Sequence, residues 1–169
     1  YEWVNALHFY GLTYEAYGVY KKIKNRYFDC LIKRIRSKHH TTMLATKDVP
    51  KQILRNKKDQ LLSSYGMIAD QAPKGAHAKH WLKFMGREVP AFTGSEVLAK
   101  RLDLALTYLH IEKVKRGHYT AEFIPLADHP ENFKDFEITE KYFQLLEEQI
   151  RDKPEYYLWS HKRWKHAKN

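Results

Sequence analysis

One stretch, Tyr65–Gly86, constrains the fold of this chain more than any other. It opens with a short apolar run, Tyr65–Ala69, which predicts a buried strand, and it breaks at Asp70 and Gln71 into a polar, basic loop. An open α/β sheet usually holds its ligand where such a strand ends. We therefore expect this loop to border a binding site, with the apolar residues that follow forming one wall of it.

The composition is that of one globular domain with a positive net charge. The 169 residues are 43% hydrophobic, enough for one core, which favours a single α/β domain. The formal charge of +10 favours anionic partners, namely phosphorylated lipid, acidic protein or nucleic acid. The single cysteine, Cys30, excludes an intrachain disulfide framework and argues against a thiolate metal site. No run approaches the roughly 18 apolar residues of a membrane-spanning helix.

The first part of the chain predicts alternating helices and strands. Apolar residues at helical spacing predict a helix over Trp3–Tyr10 and an amphipathic helix with a basic face over Arg26–Arg36. That basic face fits either a solvated surface or a face presented to phosphates or a membrane. Short strands are predicted at Gly18–Tyr20 and Met43–Ala45, and a helix with Asp48 as its cap continues to about Lys58.

The second part predicts two further helices and a hairpin. A helix is expected over Glu96–Leu102, and a second over Glu140–Arg151 with Thr139 as its cap. Partly alternating apolar residues predict strands at Ala105–Val114 and His118–Ile124. Because only a tight basic connection separates them, these two strands should pair as a hairpin.

Several kinds of chemistry lack their sequence signatures. The ten histidines do not have the spacing of a zinc helix, so no metal site is expected. No Gly-rich phosphate loop and no GxSxG nucleophile elbow is present. Nucleic-acid binding rests only on charge and on the aromatic and basic tail around Trp159 and Trp164, and we expect no nucleic-acid partner.

Three segments together resemble a known enzyme family. They are GVYKKIKNRYFDCLIKRIRS at Gly18–Ser37, YGMIADQAPKGAHAKHWLKFMG at Tyr65–Gly86 and YYLWSHKRWK at Tyr156–Lys165. In this order and spacing they resemble the late acyltransferases of bacterial lipid A, and hence lipopolysaccharide, biosynthesis, which belong to the lysophospholipid acyltransferase superfamily. The resemblance covers nearly the whole chain and implies a mixed sheet flanked by helices, similar to the glycerolphosphate acyltransferase fold.

The resemblance implies transfer of an acyl chain from acyl carrier protein, as its thioester, to a hydroxyl of a sugar-based lipid, with no other cofactor. The family signature is a histidine separated by four residues from a carboxylate, within HxGNxE. Tyr1 and Glu2 fit the last two positions of that motif. Glu2 would then be the catalytic carboxylate, its histidine would precede Tyr1, and the acyltransferase domain over residues 1–169 would lack its base. We expect this segment alone to be inactive.

The resemblance also implies substrate-binding residues. Asp70 and Gln71 match the acidic and polar pair of the central loop, where capping of the loop is the alternative role. Lys74, Lys79 and Arg87 could neutralise phosphates or be ordinary surface charges. Lys21, Lys24 and Asn25 occupy the block where the superfamily often places a phosphate-binding arginine. His161 and Arg163 match the tail pattern, where a structural clamp is the alternative to substrate contact.

The expected partners are acyl carrier protein, an anionic glycolipid acceptor and the surface of the inner membrane, with the enzyme on its cytoplasmic face. Two alternatives remain open. The acceptor could be a lysophospholipid, since the sequence does not define the hydroxyl. A non-catalytic basic module that binds membranes or nucleic acid would account for the charge and the aromatic residues without a base.

Overall fold

The computed structural model describes residues 14–37, 41–73 and 78–168. The chain divides into two compact units: the first contains the chain up to Ile68 together with Ile111–Ala121, and the second contains Ala69–His110 and the chain from Glu122 onwards. Helices and strands occur in both parts of the chain, which confirms the α/β class. The helix predicted over Trp3–Tyr10 lies outside the described residues, and the single domain stays a prediction.

The first unit is built on a three-stranded parallel sheet. Its strands are β1 (Glu15–Tyr20), β2 (Thr41–Ala45) and β3 (Ser63–Gly66), in the order β2-β1-β3. Parallel strands need crossover connections. Two helices supply them, α1 (Arg26–Arg36) between β1 and β2 and α2 (Val49–Lys58) between β2 and β3. The amphipathic helix predicted over Arg26–Arg36 is confirmed, with the same first and last residues.

Strand β1 lies at the centre of this sheet, and five of its six residues are buried. Gly18 pairs with Met43 on β2, and a Cβ atom at Gly18 would lie 3.0 Å from the Met43 sulfur. A larger residue at this position would therefore require the Met43 side chain to shift. The strands predicted at 18–20 and 43–45 are confirmed as parts of longer strands, whereas the one predicted at 65–69 begins at Ser63 and ends at Gly66.

Helix α2 packs on the sheet through a polar and aromatic layer. The rings of Tyr17 and Tyr65 stack with their centroids 5.1 Å apart. The Gln52 amide donates to the Tyr17 hydroxyl at 3.2 Å, and the buried Asn56 amide donates to the Tyr65 hydroxyl at 2.9 Å. These hydrogen bonds satisfy polar groups that would be costly to bury alone.

The second unit contains a short hairpin that the sequence analysis did not anticipate. Strands β4 (Trp81–Phe84) and β5 (Arg87–Pro90) pair antiparallel through Met85 and Gly86. Both turn residues have positive φ, 52° and 81°, as a two-residue type I′ turn requires. The carboxylate of Glu147 accepts the Met85 amide at 2.7 Å, which supports a conformation that methionine rarely adopts.

The remaining elements are α3 (Gly94–Leu102), the hairpin strands β6 (Leu106–Lys115) and β7 (His118–Ala127), and α4 (Glu137–Asp152). The predicted hairpin is confirmed, with its turn at Arg116 and Gly117. The strands of the described residues thus lie in three separate sheets, because each hairpin pairs within itself.

The core of the second unit joins the β4-β5 hairpin to α4. Phe84 and Val89 of the hairpin are fully buried, and Ile138 and Phe143 of α4 are almost completely buried. Phe84 and Phe143 meet edge to face at 5.3 Å. This contact holds the segment after the central loop against the longest helix.

Of the two predicted helix caps, Thr139 is wrong, whereas Asp48 does occupy the N-cap position. Thr139 lies inside the first turn of α4, because α4 begins at Glu137, and the Thr139 amide and hydroxyl donate to the buried Glu96 carboxylate at 2.8 and 2.6 Å. Glu96 also accepts the Phe136 amide at 2.7 Å, so this distant residue caps the helix. Asp48 is the N-cap residue of α2, as predicted, although its side chain makes no capping hydrogen bond in the described structure.

Candidate functional site

Asp70 is half-buried at the start of the loop in the second unit. Burial raises the pKa of its carboxyl, while a hydrogen bond from its own backbone amide and the charges of His161 and Arg163 act in the opposite direction. The structure thus brings three of the predicted site residues within electrostatic reach of one another. Asp70 carries a charge that the protein only partly compensates.

Three tyrosines extend this group. Burial raises the pKa of Tyr108, Tyr142 and Tyr157, and the charge of Asp70 adds to the rise in each case. The Tyr108 hydroxyl donates to Gln149. Since their pKa values are raised from one that is already near 10, these phenols stay protonated at neutral pH and act as donors, not as bases. We refer to Asp70, Tyr108, Tyr142, Tyr157, His161 and Arg163 as the Asp70 cluster.

Arg163 is completely buried between two aromatic rings. Its guanidinium carbon lies 5.5 Å from the ring centroid of Phe84 and 5.2 Å from that of Phe143. None of its three side-chain nitrogens has a hydrogen-bond partner in the part of the chain that the structure describes. Burial lowers the pKa of the guanidinium, whereas the nearby Tyr157 and Asp70 raise it. Because the side chain is completely buried, a structural role for Arg163 in holding the tail is favoured over direct contact with a substrate.

His161 connects the tail to the central loop. Its Nε2 accepts a hydrogen bond from the Ala72 amide at 3.3 Å. Because Ala72 lies two residues after Asp70, the bond helps to position the loop that carries the carboxylate.

The aromatic residues of the tail pack on one another and on β4. Trp164 stacks on Trp159 at 5.8 Å and on Phe84 at 6.1 Å. The Trp159 indole nitrogen donates to the Pro154 carbonyl at 2.7 Å. The tail therefore holds His161 and Arg163 in place through packing, and the motif has a structural role whatever else it does.

Lys21, Lys24 and Asn25 form a separate group in the first unit. They follow the carboxyl end of β1, the edge where parallel sheets usually bind ligands, and both lysines are exposed. Asn25 is the N-cap of α1, and its side-chain oxygen accepts the amides of Tyr27 and Phe28 at 3.0 and 3.1 Å. The lysines are available to a phosphate, while Asn25 already has a structural function.

The other predicted site residues occupy surface positions or cannot be placed. Gln71 and Lys79 are exposed in the loop, and Arg87 is exposed where β5 begins. Glu2 and Lys74 lie outside the described residues. Their predicted roles stay predictions.

The sequence analysis did not identify Tyr108 and Tyr142 as members of a site. Both sit in regular elements, β6 and α4, where apolar periodicity accounts for them fully. No local signal marks them, because their relation to Asp70 depends on the packing of the second unit. Phe84 likewise was predicted only as part of an apolar wall.

A groove of about 540 Å³ lies in the first unit, but at the wrong edge for the expected site. It is lined by the amino-terminal ends of β1 and β2 and by α1, at Tyr14, Glu15, Lys33, Ser37, Thr41, Thr42 and Met43. Ligands of open parallel sheets bind at the opposite, carboxyl edge. Within the described residues, no group of three acidic, histidine or cysteine side chains could hold a metal ion.

Comparison with known proteins identifies one family. A family model described as bacterial lipid A biosynthesis acyltransferase matches residues 3–166. A search of curated proteins finds no match. The matched range contains the Asp70 cluster and the group formed by Lys21, Lys24 and Asn25, and it begins one residue after Glu2.

Proposed function

Because the chain belongs to the bacterial lipid A biosynthesis acyltransferase family, we propose that it transfers a fatty acyl chain from acyl carrier protein to a hydroxyl of a lipid A precursor. The observation that carries the proposal is the extent of the family match, residues 3–166 of 169. The family supports an acyltransferase in general. The donor, the acceptor and the mechanism are the further steps proposed here.

The proposed chemistry is a single displacement at a thioester. A hydroxyl is a weak nucleophile at neutral pH, so a histidine of the HxGNxE motif takes its proton while the hydroxyl oxygen bonds to the thioester carbon. The carbon–sulfur bond then breaks, and the thiolate of the carrier protein takes the proton from the imidazolium. We assign Glu2 as the carboxylate that orients the imidazole and stabilises its charged form. Its assignment rests on the motif resemblance.

Phosphate recognition is assigned to the basic residues. Lys21 and Lys24 follow the carboxyl end of β1 and are exposed, and the chain carries a formal charge of +10. Ammonium groups bind phosphate as point charges, without the fork geometry of arginine. We propose that these two lysines attract the phosphates of the acceptor. Lys74, Lys79 and Arg87 are proposed to neutralise further phosphates on the acceptor or on the carrier protein's prosthetic group.

The Asp70 cluster is assigned a positioning role. The His161 bond to the Ala72 amide and the electrostatic effect of Arg163 on Asp70 support this, since both act on the loop that carries Asp70 and Gln71. We propose that Asp70 and Gln71 shape the substrate site and that His161 and Arg163 hold the loop.

We also propose that the enzyme acts at the cytoplasmic face of the inner membrane, where the lipid acceptor and the carrier protein can meet. The support is the class of substrate. No helix of the described residues is long and apolar enough to cross a membrane.

The test is acyl transfer by the full-length protein. Acyl carrier protein that carries a labelled acyl chain is offered with a lipid A precursor and, separately, with a lysophospholipid. The proteins compared are the wild type, Glu2→Ala and the control Glu155→Ala, which removes an exposed carboxylate from the tail. We expect transfer to the glycolipid, a loss of about 100-fold or more in Glu2→Ala, and no change in the control.

Transfer to the lysophospholipid alone would show that the acceptor is a lysophospholipid and not a lipid A precursor, while the proposed acyl-transfer reaction would stand. Full activity of Glu2→Ala would exclude the proposed catalytic pair of the motif histidine and Glu2. The absence of transfer to either acceptor by the wild type would favour the non-catalytic basic module.

A further inference from the structure

Helix α1 faces the first unit with a polar side. Asp29, the one buried residue of the helix, accepts the Ile23 amide at 2.9 Å and pairs with Lys33 at 3.2 Å. The Lys33 ammonium lies 5.4 Å from the ring centroid of Tyr20 on β1. A hydrogen-bonded acid and an ion pair thus attach this helix to the protein.

The apolar side of α1 faces solvent. Tyr27, Leu31 and Ile35 recur every four residues and so form one stripe, with Phe28 beside it. Their exposed fractions are 87%, 49% and 51%, and that of Phe28 is 54%. At about 100° per residue, this stripe lies roughly opposite Asp29 and Lys33. The helix is therefore inverted relative to the usual surface helix, which buries its apolar face.

Such a continuous apolar stripe marks an interaction surface, whereas scattered exposed apolar residues are ordinary. The N-cap at Asn25 makes α1 a well-formed helix, so the stripe is presented on an ordered element. Its charged surroundings identify the partner. Arg26 and Arg34 of the helix and Lys24 just before it are exposed and basic, and the acidic residue of the helix, Asp29, is buried and paired.

We propose that α1 lies in the surface of an anionic bilayer, with Tyr27, Phe28, Leu31 and Ile35 inserted among the acyl chains and the neighbouring cations on the lipid phosphates. Aromatic and aliphatic residues on one face and arginine or lysine around them are the features of interfacial helices. A bilayer also matches the length of the stripe, since a flat surface can receive all of it at once. The inference deepens the proposed function, on which its biological role rests, by naming the element that contacts the membrane.

The experiment measures binding of the full-length protein to vesicles of phosphatidylglycerol mixed with phosphatidylcholine, and to phosphatidylcholine alone. The test variant is Leu31→Gln with Ile35→Gln, because glutamine keeps the helix propensity of the replaced residues while removing their apolar surface. The matched control is Leu54→Gln with Leu158→Gln, which changes two other exposed leucines. Circular dichroism checks that both variants are folded.

We expect the test variant to bind anionic vesicles about 10-fold or more weakly and the control to bind like the wild type. Binding of the wild type should weaken as salt rises from about 50 to about 500 mM, because screening reduces the attraction between the cations and the lipid phosphates. A polarity-sensitive fluorophore on Cys30, which is exposed on α1, should shift towards the blue with anionic vesicles.

Binding of the test variant equal to that of the wild type would overturn the proposal. The proposal would also be overturned if the test variant bound vesicles normally but no longer self-associated or no longer bound acyl carrier protein. Either result would show that a protein, and not a bilayer, covers the stripe. Acyl transfer to a detergent-solubilised acceptor separates the two hypotheses. Its absence with intact vesicle binding would contradict the proposed function alone, and its presence with no vesicle binding would contradict this inference alone.

Discussion

The guanidinium carbon of Arg163 lies 5.2 Å from the ring centroid of Phe143, and the ring of Phe84 lies at a similar distance, 5.5 Å. The side chain is fully buried, and its nitrogens have no hydrogen-bond partner among the described residues. The faces of the two rings and the charge of Asp70 are therefore what stabilise this cation. The cost of burying it makes the site sensitive to changes in charge.

Arg163→Met should preserve stability, whereas Arg163→Ala should not. Methionine fills a similar volume and removes a buried cation that has no hydrogen-bond partner among the described residues, so the relieved desolvation cost offsets the lost attraction to Asp70. Alanine leaves a cavity between the two rings and should cost about 2–5 kcal/mol. Urea unfolding of the full-length protein measures both. Equal destabilisation by the two substitutions would show that the guanidinium itself, and not its volume, supports the fold.

Asp70 should titrate above its ordinary pKa of 3.8, because burial disfavours its charged form. A carboxyl whose pKa is raised by folding contributes stability below its unfolded pKa and loses that contribution as pH rises through its folded pKa. The stability of Asp70→Asn relative to the wild type should therefore increase as pH rises through this window. Unfolding free energies of both proteins across the pH range, with an NMR titration of the Asp70 carboxyl, provide the measurement.

The same titration tests the effect of Arg163. Because the charge of Arg163 lowers the pKa of Asp70, Arg163→Met should raise it further. A carboxyl that titrates below 3.8 in the wild type, or that does not respond to Arg163→Met, would contradict the arrangement of the cluster.

Asn25 should act first as a helix cap. Asn25→Ala removes the acceptor for the Tyr27 and Phe28 amides and should cost about 1 kcal/mol, whereas Asn25→Asp retains a good cap and should cost little. Thermal unfolding measures stability, and KM for the glycolipid measures binding. If Asn25 instead binds the acceptor phosphate, the aspartate variant will raise KM strongly through charge repulsion while its stability stays normal.

Two glycines provide a matched test of the β4-β5 turn. A Cβ atom at Gly86 or at Gly94 would meet nothing within 4 Å, but only Gly86 has a positive φ, 81°. Gly86→Ala should therefore destabilise by about 1–2 kcal/mol, the cost of a left-handed conformation. Gly94→Ala, at the start of α3, should stabilise by a few tenths of a kcal/mol to about 1 kcal/mol. Comparable melting temperatures for the two variants would contradict the I′ turn.

Local patterns predicted most of the elements correctly. The helix over Arg26–Arg36 and the hairpin joined at Arg116 and Gly117 follow from apolar spacing and from a tight turn. The β4-β5 hairpin was missed because Met85 stands where the type I′ turn normally has asparagine or aspartate, although Gly86 was a visible signal. The Thr139 cap was wrong because the true acceptor, Glu96, comes from α3, far away in sequence.

The sequence by itself determined where the helices and most strands form and to which family the chain is similar, because backbone hydrogen bonds and side-chain periodicity act over a few residues. Tertiary structure alone decided that Arg163 is buried against Phe84 and Phe143, that Asp70 shares its electrostatic surroundings with Tyr108 and Tyr142, and that α1 turns its apolar side outwards. Burial and electrostatic shifts depend on what surrounds a side chain in space, and those neighbours come from distant parts of the chain.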